Sequence, residues 1–153
     1  MLEVSNENSA FGIIKKLINS PFTFHLTGSH FFGTANGNSD IDFFVELPSH
    51  LDSNQVQLND FWSFLEGDLG MHRVNGEGSY SERDLEVAHV FQTTFVSPPI
   101  HIQVVLDAEI KVIAQDMMKT LGVVPDKRRG SYLWEKAYDY ARKLDSRPKL
   151  KQK

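Results

Sequence analysis

The chain has 153 residues, 41% of them apolar, which is enough to bury the core of one compact domain. It contains no cysteine, which excludes a disulfide framework and any cysteine metal site, and no apolar run approaches the roughly 18 residues that span a bilayer. A formal charge of −4 argues against a nucleic-acid surface over the whole molecule, although Lys and Arg outnumber Glu135, Asp139 and Asp145 from Lys127 to Lys153.

The opening MLEVSNENSA has no basic region followed by an apolar stretch, so no secretory signal is read there and a cytoplasmic location is expected. Ala10, Ile13, Ile14, Leu17 and Ile18 recur at helical spacing until Asn19-Ser20-Pro21 stops the pattern. The aromatic-rich Phe22 to Leu26 reads as a short strand running into Thr27-Gly28-Ser29. After a polar loop, Ile41 to Val45 is a second strand, ended by Pro48. Leu58, Phe61, Trp62 and Leu65 mark another amphipathic helix. Leu69 to Val74 reads as a short strand and Asn75 to Ser79 as a turn. Leu85–Val96 and Ile100–Leu106 form a predicted hairpin across Ser97-Pro98-Pro99. Ile110, Ile113, Ala114, Met117 and Leu121 define a third helix. Leu133, Ala137, Tyr140, Ala141 and Leu144 define a fourth, with Ser131 a candidate N-cap. The pattern predicts an α/β chain of the α+β type: a mixed, partly antiparallel sheet with helices packed against it, in one domain over residues 1–145. Residues 146–153 form a basic tail expected to be flexible.

The chemistry concentrates between Leu26 and Val45. Gly28-Ser29 ends a strand and is followed by residues that can open a helix. Glycine there lets backbone approach a ligand closely, the first N–H groups of a helix are free to bind an anion, and the Ser29 hydroxyl adds a donor. Asp40 and Asp42 stand two apart on a predicted strand, so both carboxylates leave the same face. Their Cα atoms would be about 6.6 Å apart, close enough to share a pair of metal ions roughly 4 Å apart. The two like charges repel, and a divalent cation relieves that repulsion. Ile41 and Phe43 point the other way, into a core.

Gly28-Ser29, Gly33 and Ser39-Asp40-Ile41-Asp42 resemble the signature of the nucleotidyltransferase superfamily: a Gly-Ser, a Gly four residues after the Ser, then Ser-Asp, an apolar residue and Asp. The resemblance implies a polymerase-β-like fold of the small, minimal kind. It further implies that Ser29, with backbone around Gly28, holds the β and γ phosphates of a nucleoside triphosphate, with Gly33 and Ser39 in the same nucleotide site. Asp40 and Asp42 would hold Mg²⁺ or Mn²⁺. The implied reaction moves a nucleoside monophosphate to a hydroxyl acceptor and releases pyrophosphate.

The family usually carries a third acid on a later strand. In Ile100-His101-Ile102-Gln103-Val104-Val105, alternation puts Ile100, Ile102 and Val104 toward the core, and the register puts His101 where that acid would stand. Imidazole is a poor ligand for Mg²⁺ and a better one for Mn²⁺ or Zn²⁺, while its near-neutral pKa suits a general base. His101 is therefore read with Asp40 and Asp42 as a catalytic candidate, or else as the mark of a degenerate site that binds a nucleotide, RNA or a protein, an antitoxin-like role included. Glu86 is set aside as too far up the hairpin from His101, which is expected to pair near Val96. The positions after Ser29 hold His30, Phe31 and Phe32 instead of the basic residues often found there. Lys127, Arg128 and Arg129 are alternative sources of positive charge, read more simply as solvated residues at a helix entrance. His25, His89, Trp62 and Trp134 are read as packing residues. The acceptor (an RNA end, a protein or a small molecule) and the base preference are not legible.

Overall fold

The computed structural model describes residues 9–48, 55–74, 87–126 and 128–145. The predicted turn at Asn75–Ser79, Glu86, Lys127 and the basic tail all lie outside the described residues. Helix α1 spans Ala10–Asn19. The Ser9 hydroxyl accepts the Gly12 N–H at 3.0 Å to cap its start, and Ser20 returns its own hydroxyl to Leu17 O at 2.9 Å to close its end. Strand β1 is only His25–Thr27 and runs directly into the short helix α2, Gly28–Phe32. Phe22 and Phe24, expected in that strand, precede it. Their rings pack on Phe61 and Phe64, so aromatic burial rather than pairing accounts for the run.

Strand β2 is Ile41–Glu46, and helix α3, Gln55–Ser63, continues into a wider π-helical turn over Phe64–Asp68. Strands β3 (His72–Val74), β4 (Val87–Gln92) and β5 (Ile100–Val105) follow, then helices α4 (Ala108–Leu121) and α5 (Gly130–Leu144). The five strands lie in the order β1-β2-β5-β4-β3. All neighbours are antiparallel except the parallel central pair β2 and β5. This is the mixed α+β architecture expected.

Both faces of the sheet are covered. One carries Val45, Ile100, Ile102, Val104 and Phe91 against α1 and α3, through Ile13, Leu17, Phe61 and Leu65. The other carries Phe44 and Val105 against α4 and α5, through Ala114, Met118, Trp134 and Tyr138. Phe44, Phe61 and Phe91 are fully buried, each contributing about 2–3 kcal/mol of hydrophobic stabilisation. Asp107 caps α4 through the Ile110 N–H, and Glu46 Oε1 accepts the Ala108 N–H at 2.9 Å, fixing the helix start to the end of β2. No helix among the described residues is long and apolar enough to cross a membrane.

Three local expectations shift. The buried face of α4 is Ala108, Ile110, Lys111, Ala114, Gln115 and Met118, whereas Leu121 is exposed. Gln115 is tolerated inside because it accepts from Thr27 Oγ1 at 2.8 Å and donates to Leu26 O at 3.0 Å. Helix α5 starts at Gly130 with Arg129 as its N-cap, so Ser131 lies within its first turn. Tyr140 and Leu144 are exposed and Tyr138 buries instead, while Trp134 is buried as expected. In the β4–β5 pair His101 faces Gln92 rather than Val96, because Thr93 closes the ladder and the connection is longer than a tight hairpin.

Candidate active site

Asp40 sits one residue before β2 and Asp42 is the second residue of that strand. In the parallel register Asp42 lies beside His101, and Phe44 beside Gln103. Side chains alternate along a strand, so Asp42, Phe44, His101 and Gln103 all leave the α4/α5 face. Phe44 is roofed by the helices, whereas Asp42 and His101 reach the open end of the sheet. His101 Nδ1 stands 3.2 Å from Asp42 Oδ1 and 3.6 Å from Asp40 Oδ2, with all three side chains half-buried. The hydrogen bond to Asp42 holds the His101 pKa above its usual value, opposed by partial burial and aided by the charges of Asp42 and Asp40.

The turn from α2 back to β2 is built from its own polar groups. Asn36 N donates to Ser39 Oγ at 2.9 Å, Asn38 N to Asn36 Oδ1 at 2.8 Å, and His30 Nε2 lies 3.3 Å from Ser39 O. Gly33 ends α2 with φ 82°, a left-handed conformation that favours glycine, and it stands back from the site. Gly28 has a more demanding role. Its φ is 71°, and a Cβ there would collide with Asp42 Oδ2. Gly28 and the Asp42 carboxylate are therefore in direct contact. Gly28→Ala is expected to lower the unfolding free energy by about 2 kcal/mol, and Gly33→Ala, strained by φ alone, by less. Denaturant titration of the two variants checks the order.

Gly28, Ser29, Ser39, Asp40 and Asp42 line one cleft of about 570 Å³. Its remaining walls are Thr27, Phe32, Thr34, Asn38, Gln103, Lys111, Val124, Pro125, Asp126 and Trp134. Of the sequence-predicted residues, the structure thus brings the Gly-Ser pair, Ser39 and both acids together. It places His101 against the acids and leaves Gly33 as a turn residue. Among the described residues the Ser29 hydroxyl has no hydrogen-bond partner, so its donor is available to a ligand. No group of three or more His, Asp and Glu side chains is arranged to hold a metal ion on its own, again among the described residues.

This constellation decides the family. Residues 10–108 match the nucleotidyltransferase domain family, a span that holds α1, Gly28-Ser29, Asp40, Asp42 and His101. The chain belongs to that family. No curated protein and no solved structure matches it significantly. The match ends before Lys111, Val124, Pro125, Asp126 and Trp134, cleft residues that sequence reasoning did not place in the site.

Lys111 is 2% exposed, with Nζ 3.7 Å from the Trp134 ring centroid, 5.2 Å from that of Phe44, and 3.5 Å from Tyr138 Oη. Burial lowers its pKa to about 7, with the negative charge of Asp42 acting in the opposite sense. Arg128 and Arg129 remain exposed around Asp126, which accepts both their backbone N–H groups, in keeping with the solvated reading. Trp62 packs on Phe61 and Phe91, and His25 stacks on Phe44.

Proposed function

We propose that this family member is a minimal, metal-dependent nucleotidyltransferase that moves a nucleoside monophosphate from a triphosphate to a hydroxyl and releases pyrophosphate. The observation that carries the reading is the direct packing of Gly28 against Asp42, which puts the phosphate cradle and the paired carboxylates in one cleft. The donor set suits Mg²⁺ or Mn²⁺ carried in with the nucleotide. Two carboxylates without a complete cage fit Mg²⁺, which keeps waters and takes further oxygens from substrate phosphates. Held by Asp40 and Asp42, the ion would supply charge neutralisation at the reacting phosphates.

The chain's own groups divide the rest of the work. Ser29 donates its free hydroxyl to phosphate, and Gly28 keeps the backbone close. Asp42 fixes the His101 ring through Nδ1, which leaves Nε2 to accept the proton of the attacking hydroxyl. The acceptor oxygen then bonds to the α-phosphorus as the bond to pyrophosphate breaks. Phe32, Val124, Pro125 and Trp134 give the cleft an apolar wall suited to the nucleoside end of the donor. Incubation with each α-labelled triphosphate, with and without Mg²⁺ or Mn²⁺, tests the reading, with Asp42→Asn as the control.

A second reading rests on His101 itself. Its imidazole occupies acceptor capacity on Asp42 that a cation would use and stands 3.6 Å from Asp40, as in a transferase fold retained for binding a nucleotide, RNA or a partner protein. On that reading His101→Asp creates metal-dependent transfer that the parent lacks. A parent that transfers, and is weakened by His101→Asp, eliminates it.

A further inference from the structure

The site as described has a cradle and two acids but no cation facing the phosphates. His30, Phe31 and Phe32 follow Ser29, and Arg128 and Arg129 point to solvent. Among the described residues one cation lines the cleft, and it comes from α4. Lys111 lies on the wall shared with Gln103 and Trp134, on the same side of the sheet as Asp42.

Its surroundings do not satisfy it. A lysine head group carries three donors, and among the described residues Lys111 uses one, in a long 3.5 Å contact with Tyr138 Oη. The rest of its shell is the faces of Trp134, Phe44 and Tyr138, which attract a cation but replace little of the water it gave up. Among the described residues it forms no ion pair, Asp42 acting on it only through space. In the same cleft lining, Gln103 Oε1 is buried without a hydrogen-bond partner among the described residues. A buried cation and a buried acceptor, both unsatisfied and both on one wall of a cleft, complement a ligand that brings anionic oxygens together with hydroxyl or amino hydrogens. A nucleotide brings both.

We propose that Lys111 is a phosphate-binding residue of this site, leaving the aromatic faces to pair with an anionic oxygen of the bound donor. This rests on the nucleotide reading of the cleft and supplies the positive charge that the segment after Ser29 lacks. Methionine matches the length and apolar stem of the lysine, so Lys111→Met retains the packing against Trp134 and removes only the charge.

Inorganic tripolyphosphate with Mg²⁺ is the direct probe, because it carries the phosphates without a base. Its affinity for wild type and Lys111→Met is measured by calorimetry, alongside each of the four nucleoside triphosphates. The expected result is binding to wild type that weakens at least tenfold in Lys111→Met, for tripolyphosphate and nucleotide alike. Equal affinities in the two proteins overturn the role of Lys111 and leave the nucleotide reading intact. Failure of wild type to bind tripolyphosphate or any nucleotide overturns both.

Discussion

Asp42→Asn is expected to lower metal-dependent nucleotidyl transfer on the order of 10³-fold while the protein stays folded. The substitution is nearly isosteric, which matters because Asp42 Oδ2 rests against Gly28 and leaves no room for a larger group. Asparagine keeps an oxygen able to accept from His101, so the ring is still held. What it removes is the negative charge that a cation and its phosphates require. The folded state gains relief from repulsion by Asp40 and loses the through-space support that Asp42 gives Lys111. These changes oppose one another, so thermal unfolding without ligand should move little. A metal-dependent gain in stability with triphosphate, about 2.7 kcal/mol at a hundredfold excess over Kd, should appear in wild type and vanish in the variant. Equal transfer by the variant would remove Asp42 from the chemistry and the proposed reaction with it.

The order of elements was legible because most of it is written in local periodicity. Asn19-Ser20-Pro21 marks the end of α1, and alternation along Ile100–Val105 predicts the burial of Ile100, Ile102 and Val104 that the sheet shows. What failed were the details that depend on a second surface. The faces of α4 and α5 are set by how those helices meet each other and the sheet, which turns Leu121, Tyr140 and Leu144 outward and Tyr138 inward. The His101 partner shifted from Val96 to Gln92 because the Thr93–Pro99 connection is not a tight turn, and residue count alone does not reveal that.

The grouping of Gly28-Ser29 with Asp40 and Asp42 was legible for a different reason. Gly28, Ser29, Asp40 and Asp42 lie within one strand-turn-strand unit, so spacing along the chain largely fixes their spacing in space. Lys111 comes from a helix that reaches the cleft through tertiary packing, which helical spacing alone does not encode. A faint signal was present. Lys111 stands three residues after Ala108 and three before Ala114, in the middle of what becomes the buried stripe, and a lysine there has either a partner or a purpose. Gln115, on the same stripe, has its partners in Thr27 and Leu26; Lys111 has a single long contact with Tyr138.

That difference gives the second large effect: without ligand, Lys111→Met should be more stable than wild type, by most at or below neutral pH. Lys111 has a pKa near 7 when folded, against 10.5 as the ordinary lysine value, because burial penalises its charged form. Below about pH 7 the lysine is protonated in both states, and the folded protein carries the full cost of the buried charge. Between pH 7 and 10.5 the unfolded chain binds more protons at this position, so wild-type stability gains as pH rises. Above 10.5 both states are neutral and the penalty is gone. Methionine never pays it. The stability gain of the variant should therefore be greatest at pH 6.5, about 1–3 kcal/mol and several degrees in Tm, and should shrink steadily toward pH 10. Unfolding curves of both proteins across that range measure it, and a gain that grows with pH, or a loss at pH 6.5, would show that Lys111 is satisfied where it sits. A residue that costs stability in the empty protein and strengthens phosphate binding in the loaded one is what a ligand site requires of a buried cation.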